Sequence, residues 1–290
     1  MRRRFYIILN PTAGVPRYRF FAKVLDGLAG RGAVATVVEH VDPVAAAAAV
    51  RAAVASHDVI VAAGGDGTVR QVAGIVGDFD IPIGVIPLGT GNVLAREIGL
   101  QLSPPAVVDT LLDGPVATVH GARANSEAFF LMAGIGFDGR TVAALDMRLK
   151  RRLGRAAYTH AVVQAWRAPV DELEVEIDGR PYAANWLIVT NARHYGGSFM
   201  LTPRGSIFTP GLEAIVIRAH SRRVLLAQML RLAQGRLTAD DNRNVTAVPA
   251  RSVRVTSAKA VPVQLDGDRF GATPLTIDAG GPQLRLIVPR

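Results

Sequence analysis

The segment Val59-Ile60-Val61-Ala62-Ala63 runs without a polar residue into Gly64-Gly65-Asp66-Gly67-Thr68 and then into a helical pattern. An apolar run of this length suits a buried strand, and the glycine-rich turn after it lets backbone N–H groups approach a ligand where a β-carbon would intervene. The start of the next helix adds its positive dipole end, so the turn can cradle phosphate. Asp66 and phosphate are both negative, which makes Mg²⁺ the natural partner of this carboxylate, often through water. The competing reading is a tight strand-to-helix turn in which Gly64, Gly65 and Gly67 serve geometry and Asp66 is an N-cap.

A second turn of the same kind follows. Residues 83–87 form another buried apolar run, succeeded by Leu88-Gly89-Thr90-Gly91-Asn92 and a helical stretch over 93–100. A third strand end, 5–9, leads into Asn10-Pro11-Thr12-Ala13-Gly14, where Asn10 and Thr12 offer side-chain hydrogen bonds and Gly14 permits a close turn. In an open parallel sheet, ligands bind beyond the carboxyl ends of the strands. Asn10, Pro11, Thr12, Gly14, Gly64, Gly65, Asp66, Gly67, Thr68, Gly89, Thr90 and Asn92 are therefore the candidate nucleotide-phosphate residues.

The set NPTAG, GGDGT and PLGTGN, in this order and spacing, resembles the diacylglycerol-kinase-like lipid kinases, a group that includes sphingosine and ceramide kinases. GGDGT alone is shared with NAD kinases and phosphofructokinases; PLGTGNVLAR narrows the likeness towards lipid kinases. Gly134-Ile135-Gly136-Phe137-Asp138 resembles the family's GxGFD segment, and Leu265-Asp266-Gly267-Asp268 resembles its DGE motif. The resemblance implies ATP and Mg²⁺ as cofactors and transfer of the γ-phosphoryl group to a lipid hydroxyl. Diacylglycerol is the default acceptor, with sphingoid bases, ceramide or phosphatidylglycerol as others.

It also assigns residues. Asp266 and Asp268 stand where the family has its base, and Asp268 is one methylene shorter than the usual Glu. Two residues apart in an extended segment, they would point the same way; the alternative is a hairpin turn, for which Asp-Gly is a favoured pair. Asp138 would join Asp66 in a carboxylate–metal network, or else cap a helix. His40 falls where relatives often carry a nucleotide-contacting threonine, or is an ordinary surface histidine. Asn191, Gly196 and Gly197 resemble a glycine-rich substrate loop. Val93 replaces the aspartate that relatives usually place after the second glycine turn, and Pro210 replaces one that binds a structural Mg²⁺, so that second metal site is expected to be absent. Arg17 or Arg96 is a candidate for neutralising phosphate in place of a lysine near Thr12. The other readings are a soluble-substrate kinase of the NAD kinase type and a catalytically weak nucleotide- or lipid-binding module.

At 290 residues the chain exceeds one average domain. Residues 1–115 alternate strand and helix: strands at 5–9, 34–38, 58–63 and 83–86, helices at 18–28, 43–55, 68–76, 93–98 and 104–112. That alternation predicts a parallel-sheet α/β nucleotide-binding domain. From 116 the pattern changes to short strands, at 117–121, 128–133, 173–177, 185–190, 212–217, 245–248, 253–256 and 284–288, with helical stretches at 141–166 and 222–232. This predicts a mainly β, sandwich-like C-terminal domain over 116–290. By resemblance, roughly the last 15 residues return to the first domain and leave a cleft between the two.

Lys+Arg of 33 against Asp+Glu of 24 gives a net charge of +9, which favours anionic partners. With aromatics at 6% and no reading motif, nucleic acid is the least suited of these. The absence of cysteine excludes disulfides and thiolate metal sites. Apolar runs stop well short of the roughly 20 residues of a spanning helix, and the Arg2-Arg3-Arg4 start leads into a first strand rather than a leader. The expectation is a cytoplasmic protein bound peripherally to an anionic membrane surface through the basic run 148–155 and the helix over 158–166, with Arg222, Arg223, Arg231 and Arg236 adding to it.

Overall fold

The computed structural model describes residues 2–11, 17–39, 43–77, 79–145 and 155–290. Thr12, Gly14, His40 and the basic run 148–154 lie outside the described residues. The chain divides into two compact units, residues 1–119 with 283–290, and residues 120–282.

The first unit runs β1 (Arg4–Leu9), α1 (Tyr18–Gly30), β2 (Val34–Glu39), α2 (Pro43–Val54), β3 (Val59–Gly64), α3 (Asp66–Val76), β4 (Ile83–Pro87), α4 (Val93–Glu97), α5 (Pro104–Asp113) and β5 (Val116–His120). Its sheet has the order β2-β1-β3-β4, continued by the C-terminal strand Gln283–Ile287 and then β5. β1 pairs in parallel with β2 and β3, and β3 with β4. Residues 59–63 are wholly buried because helices cover both faces of a parallel sheet, which is why they read as a continuous apolar run. The chain leaves β1 towards β2 on one side and returns to β3 on the other, so the order reverses beside β1. The loops after β1 and β3 open at that reversal, where such sheets bind ligands.

The second unit begins β6 (Ala122–Ala124), β7 (Glu127–Phe129), β8 (Met132–Gly136), α6 (Phe137–Ala143) and α7 (Arg155–Arg167). It continues β9 (Leu173–Ile177), β10 (Arg180–Ala184), β11 (Trp186–Thr190), β12 (His194–Tyr195), β13 (Phe199–Met200), β14 (Leu212–Ile217) and α8 (Arg222–Ala233). It ends β15 (Val245–Ala250), β16 (Ser252–Thr256), β17 (Pro262–Leu265), β18 (Asp268–Ala272) and β19 (Leu275–Asp278), after which Gln283–Ile287, in the first sheet, is β20. Two six-stranded sheets form, ordered β10-β9-β16-β19-β6-β7 and β15-β14-β11-β8-β17-β18.

Side-chain alternation builds two layers from one strand. In β11, Leu187 and Val189 enter the core that contains Val175, Val253 and Ile277 of the other sheet. Trp186 and Ile188 enter a second core with Phe137, Leu225 and Leu232 of the helices. Hence β11 and β14 are buried along their whole length.

Two expectations need correcting. The strand expected at 128–133 is broken into β7 and β8, because the N–H groups of residues 130–132 turn to Asp266. The stretch 141–166 is not one helix; α6 ends at Ala143 and α7 starts at Arg155. In α7, Ala161 and Ala165 are buried, Tyr158 and Trp166 pack against the cores, and Thr159, His160, Val163 and Gln164 are exposed. Among the described residues no helix is long and apolar enough to cross a membrane.

Candidate functional site

In the first unit the three strand-end loops are stitched together by hydrogen bonds. The N–H of Asn10 donates to the Ala63 carbonyl at 3.0 Å, and its side-chain amide donates to Thr68 Oγ1 at 3.0 Å. The carbonyl of Gly64 accepts from Leu88 N at 2.8 Å and Gly89 N at 3.2 Å. The glycines make that approach possible: a Cβ on Gly89 would sit 2.5 Å from Gly65 Cα and 2.8 Å from Asn92 Oδ1. Asn92 fixes its own loop by donating to the Gly89 carbonyl at 2.8 Å.

Asp66 lies in the first turn of α3, whose N-cap is Gly65, so it does not cap its own helix. Its two carboxylate oxygens accept from Val93 N at 3.0 Å and Leu94 N at 2.9 Å, the leading amides of α4. Val93 thus contributes a backbone N–H to Asp66. Arg17 donates to the Pro87 carbonyl at 2.9 Å, which sets its guanidinium at the end of β4. A shallow recess opens here, lined by Leu9, Asn10, Pro11, Arg17, Tyr18, Phe21 and Leu88.

Two buried atoms in this region lack partners among the described residues: the acceptor Asn92 Oδ1 and the donor Arg96 Nε. An orphaned acceptor beside a carboxylate, and an orphaned cationic donor, fit a metal-bearing polyphosphate. Among the described residues no three His, Cys, Asp or Glu side chains form a metal cage. A Mg²⁺ ion bound through one or two carboxylates and the nucleotide's phosphates needs no such cage.

The tight contact between the loops makes a prediction. Gly89→Ala should push the β3 and β4 loops apart, lowering stability by about 1–3 kcal/mol and weakening binding of a non-hydrolysable ATP analogue. Gly74→Ala, on α3 where an added Cβ meets nothing within 4 Å, should instead stabilise by about 0.5–1 kcal/mol and leave binding alone. Thermal unfolding and calorimetric titration of the two variants check this.

In the second unit Asp266 and Gly267 are the two-residue turn of the hairpin β17–β18, with φ of 51° and 87°. Positive φ at both positions matches the twist of a hairpin, and Asp-Gly is the pair that tolerates it. The segment is therefore not extended, and the two aspartates do not share a direction. Asp266 is buried and its carboxylate accepts from Phe130 N at 2.9 Å, Leu131 N at 2.9 Å and Met132 N at 3.0 Å. Asp268 opens β18 and is half-buried.

Asp138 is buried at the start of α6, whose N-cap is Gly136. The Tyr195 hydroxyl donates to Oδ1 and the Gln264 amide donates to Oδ2 at 2.9 Å, while Gln264 Oε1 accepts the Gly267 N–H at 2.7 Å. Burial pushes the Asp138 carboxyl up from its ordinary range, against these two hydrogen bonds. Burial first, and then the Asp138 charge, hold the Tyr195 hydroxyl well above the usual phenol range, so it stays a donor. Tyr195, Asp138 and Gln264 form a chain that ends on the Asp266-Gly267 turn.

Sequence reasoning did not single out Tyr195 or Gln264. The spacing of a tyrosine before Gly196-Gly197 and of a glutamine two residues before Asp266 carries no signal until the fold joins them. Of the glycine-rich loop residues, Gly196 and Gly197 form the β12–β13 turn, and Asn191 donates to the His120 carbonyl.

Two family models match the chain. Residues 4–124 match the family model described as "Diacylglycerol kinase catalytic domain", and residues 132–288 match "YegS C-terminal NAD kinase beta sandwich-like domain". "Diacylglycerol kinase" of Bacillus subtilis is 27% identical over 282 residues, covering 94% of this chain and 92% of that one. "Probable lipid kinase YegS-like" of Pseudomonas fluorescens is 30% identical over 243 residues, covering 81% and 79%. A protein of Synechocystis named only as uncharacterized is 31% identical over 239 residues, and the chain spans 54% of its length. The crystal structure of a diacylglycerol kinase from Bacillus anthracis superimposes with a TM-score of 0.75 over 99% of this chain and 97% of that one. At 21% identity that likeness concerns the fold.

Proposed function

We propose a function for a chain that belongs to the diacylglycerol kinase and YegS-like lipid kinase family: it transfers the γ-phosphoryl group of ATP to the hydroxyl of a lipid, with diacylglycerol as the acceptor. The observation that carries the reading is the pair of glycine turns at the ends of adjacent parallel strands β3 and β4, held in contact at Gly65 and Gly89 and tied by Asp66 to α4.

Gly64, Gly65, Gly67 and Thr68, with Gly89 and Thr90 opposite, receive the phosphates at the start of α3, where the leading N–H groups of a helix lack intrahelical partners. Asn10, Pro11 and Asn92 border this site, and Arg17 and Arg96 supply positive charge. Asp66, its carboxylate oriented by two amides, would hold Mg²⁺ with Asn92 nearby. Bound Mg²⁺ neutralises charge on the phosphoryl oxygens.

The acceptor's oxygen forms a bond to the γ-phosphorus as the bond to the ADP oxygen breaks, and the hydroxyl proton must go to a base. Asp268 takes that role in this proposal, because the Asp266 carboxylate is engaged by three amides and Asp268 is not buried. Asp266 and Asp138 act on Asp268 by holding its turn.

The test is transfer of labelled γ-phosphate from Mg-ATP to a panel of lipid alcohols in anionic mixed micelles, with NAD included. Label in diacylglycerol is the expected result. Label in NAD without lipid dependence would replace the proposal with a soluble-substrate kinase, and tight ATP binding without turnover would replace it with a binding module.

A further inference from the structure

One face of the second unit combines apolar side chains with unneutralised charge. α8 packs inward through Leu225, Gln228 and Leu232. Its opposite face exposes Arg222, Arg223, Leu226, Ala227 and Leu230, with Leu226 at 42% and Leu230 at 55% exposure, four residues apart and therefore side by side. The β12–β13 hairpin packs against this helix, and its Phe199 and Met200 are 43% and 37% exposed. A Cβ placed on Gly235, just past the end of α8, would lie 3.4 Å from Met200 Cβ, so hairpin and helix end are neighbours.

The charges are as unusual as the exposure. α8 contains no acidic residue, and its two leading arginines occupy the end of the helix whose dipole disfavours cations. Arg222 donates to the Arg167 carbonyl and to no carboxylate among the described residues, and Arg223 makes no ion pair among them. Water alone leaves four large apolar side chains exposed, with neither arginine paired to a carboxylate among the described residues. An anionic phospholipid interface accommodates both, as it does for other basic amphipathic helices lying in the headgroup plane. A second copy of the chain in an isologous contact would instead present the same acid-free helix face and offer these arginines no carboxylate from it.

We propose that the outer face of α8 together with the β12–β13 hairpin is the surface by which the protein docks on a bilayer bearing anionic headgroups. The proposal rests on the lipid-kinase reading and gives it a direction. Tyr195, on the docking hairpin, begins the hydrogen-bonded chain through Asp138 and Gln264 to Gly267, so the element that meets the membrane is wired to the turn that carries Asp268. The basic run 148–154 expected to serve this purpose lies outside the described residues, and the exposed face of α7 after it is mostly polar.

Co-sedimentation of the full chain with phosphatidylcholine vesicles, with and without phosphatidylglycerol, tests it. Wild type should sediment with the anionic vesicles; Leu226→Glu with Leu230→Glu should reduce the partition coefficient by at least about tenfold, since two apolar anchors are lost and two repulsive charges gained. Arg222→Gln with Arg223→Gln should erase the preference for phosphatidylglycerol, and Val163→Glu on α7 should change nothing. Wild-type partition in the double leucine variant overturns the proposal, as does conversion of a dimer to a monomer in that variant without any loss of vesicle binding. Phosphorylation of a short-chain, monomeric diacylglycerol separates the two claims. If the double leucine variant keeps that activity but loses vesicle binding, both stand. If wild type docks through this face yet phosphorylates no lipid, only the kinase reading fails; if it phosphorylates lipid and the variants bind normally, only the docking surface fails.

Discussion

Asp268→Asn is expected to cut phosphoryl transfer by about 100- to 10,000-fold, the range a positioned general base contributes, while ATP-analogue binding and the unfolding midpoint stay at wild-type values. Burial separates the two carboxylates. A base must come within hydrogen-bond reach of the acceptor hydroxyl, and the carboxylate two residues earlier accepts from three backbone amides in a buried turn. Asp268 follows the turn at the first position of β18, outside that burial. The amide of Asn keeps the size but loses the charge and one acceptor oxygen, and with them the ability to take a proton. Asp268→Glu should retain turnover, because one methylene is within the freedom of a half-buried side chain and the DGE motif that this turn resembles has Glu there. Wild-type turnover in Asp268→Asn would return the role to Asp266 and require the amide cluster to open during the reaction.

How much of this was legible in the sequence divides by range of interaction. Residues 59–63 announce a strand covered on both faces, and Gly64-Gly65 announce its end, because both signals are local. The alternating burial of β9, with Leu173, Val175 and Ile177 inward, is equally local, and its span reads correctly from composition alone. The interior of β11 shows as an apolar run, although the run does not reveal that Trp186 and Leu187 serve different cores. What stayed hidden depends on partners far along the chain. The break at residues 130–131 is caused by a carboxylate 135 and 136 residues away. Asp66 reads as a cap for its own helix or as a metal ligand, and only the fold brings Val93 and Leu94 to it. The Asp-Gly turn was visible as a favoured pair; that it buries one aspartate and leaves the other accessible follows from the strand it meets. Short edge strands such as β6, β12 and β13 carry too few residues for a period to emerge.

Removing the carboxylate in Asp266→Ala should destabilise the β unit by about 3–6 kcal/mol, a large share of the 5–15 kcal/mol typical of a folded protein. Three buried N–H donors at residues 130–132 would lose this acceptor, and each unsatisfied buried group costs about 1–3 kcal/mol, with the sum reduced because one water can serve more than one donor. Alanine also places a β-carbon at φ 51° without the local hydrogen bonding that lets Asp or Asn tolerate the left-handed region. Asp266→Asn tolerates the backbone but can point only one acceptor oxygen at the cluster, so its loss should be intermediate. Urea unfolding of wild type and both variants, followed by Trp fluorescence, reads this out, since both tryptophans, Trp166 and Trp186, lie in the second unit. The ordering wild type, Asn, Ala distinguishes a structural carboxylate from a catalytic one: a base free of structural duty would leave all three midpoints together and abolish turnover in both variants alike. A graded loss of stability, with Asp268→Asn stable but inactive, would place the two aspartates of one turn in separate roles, one holding the hairpin against residues 130–132 and the other facing the acceptor.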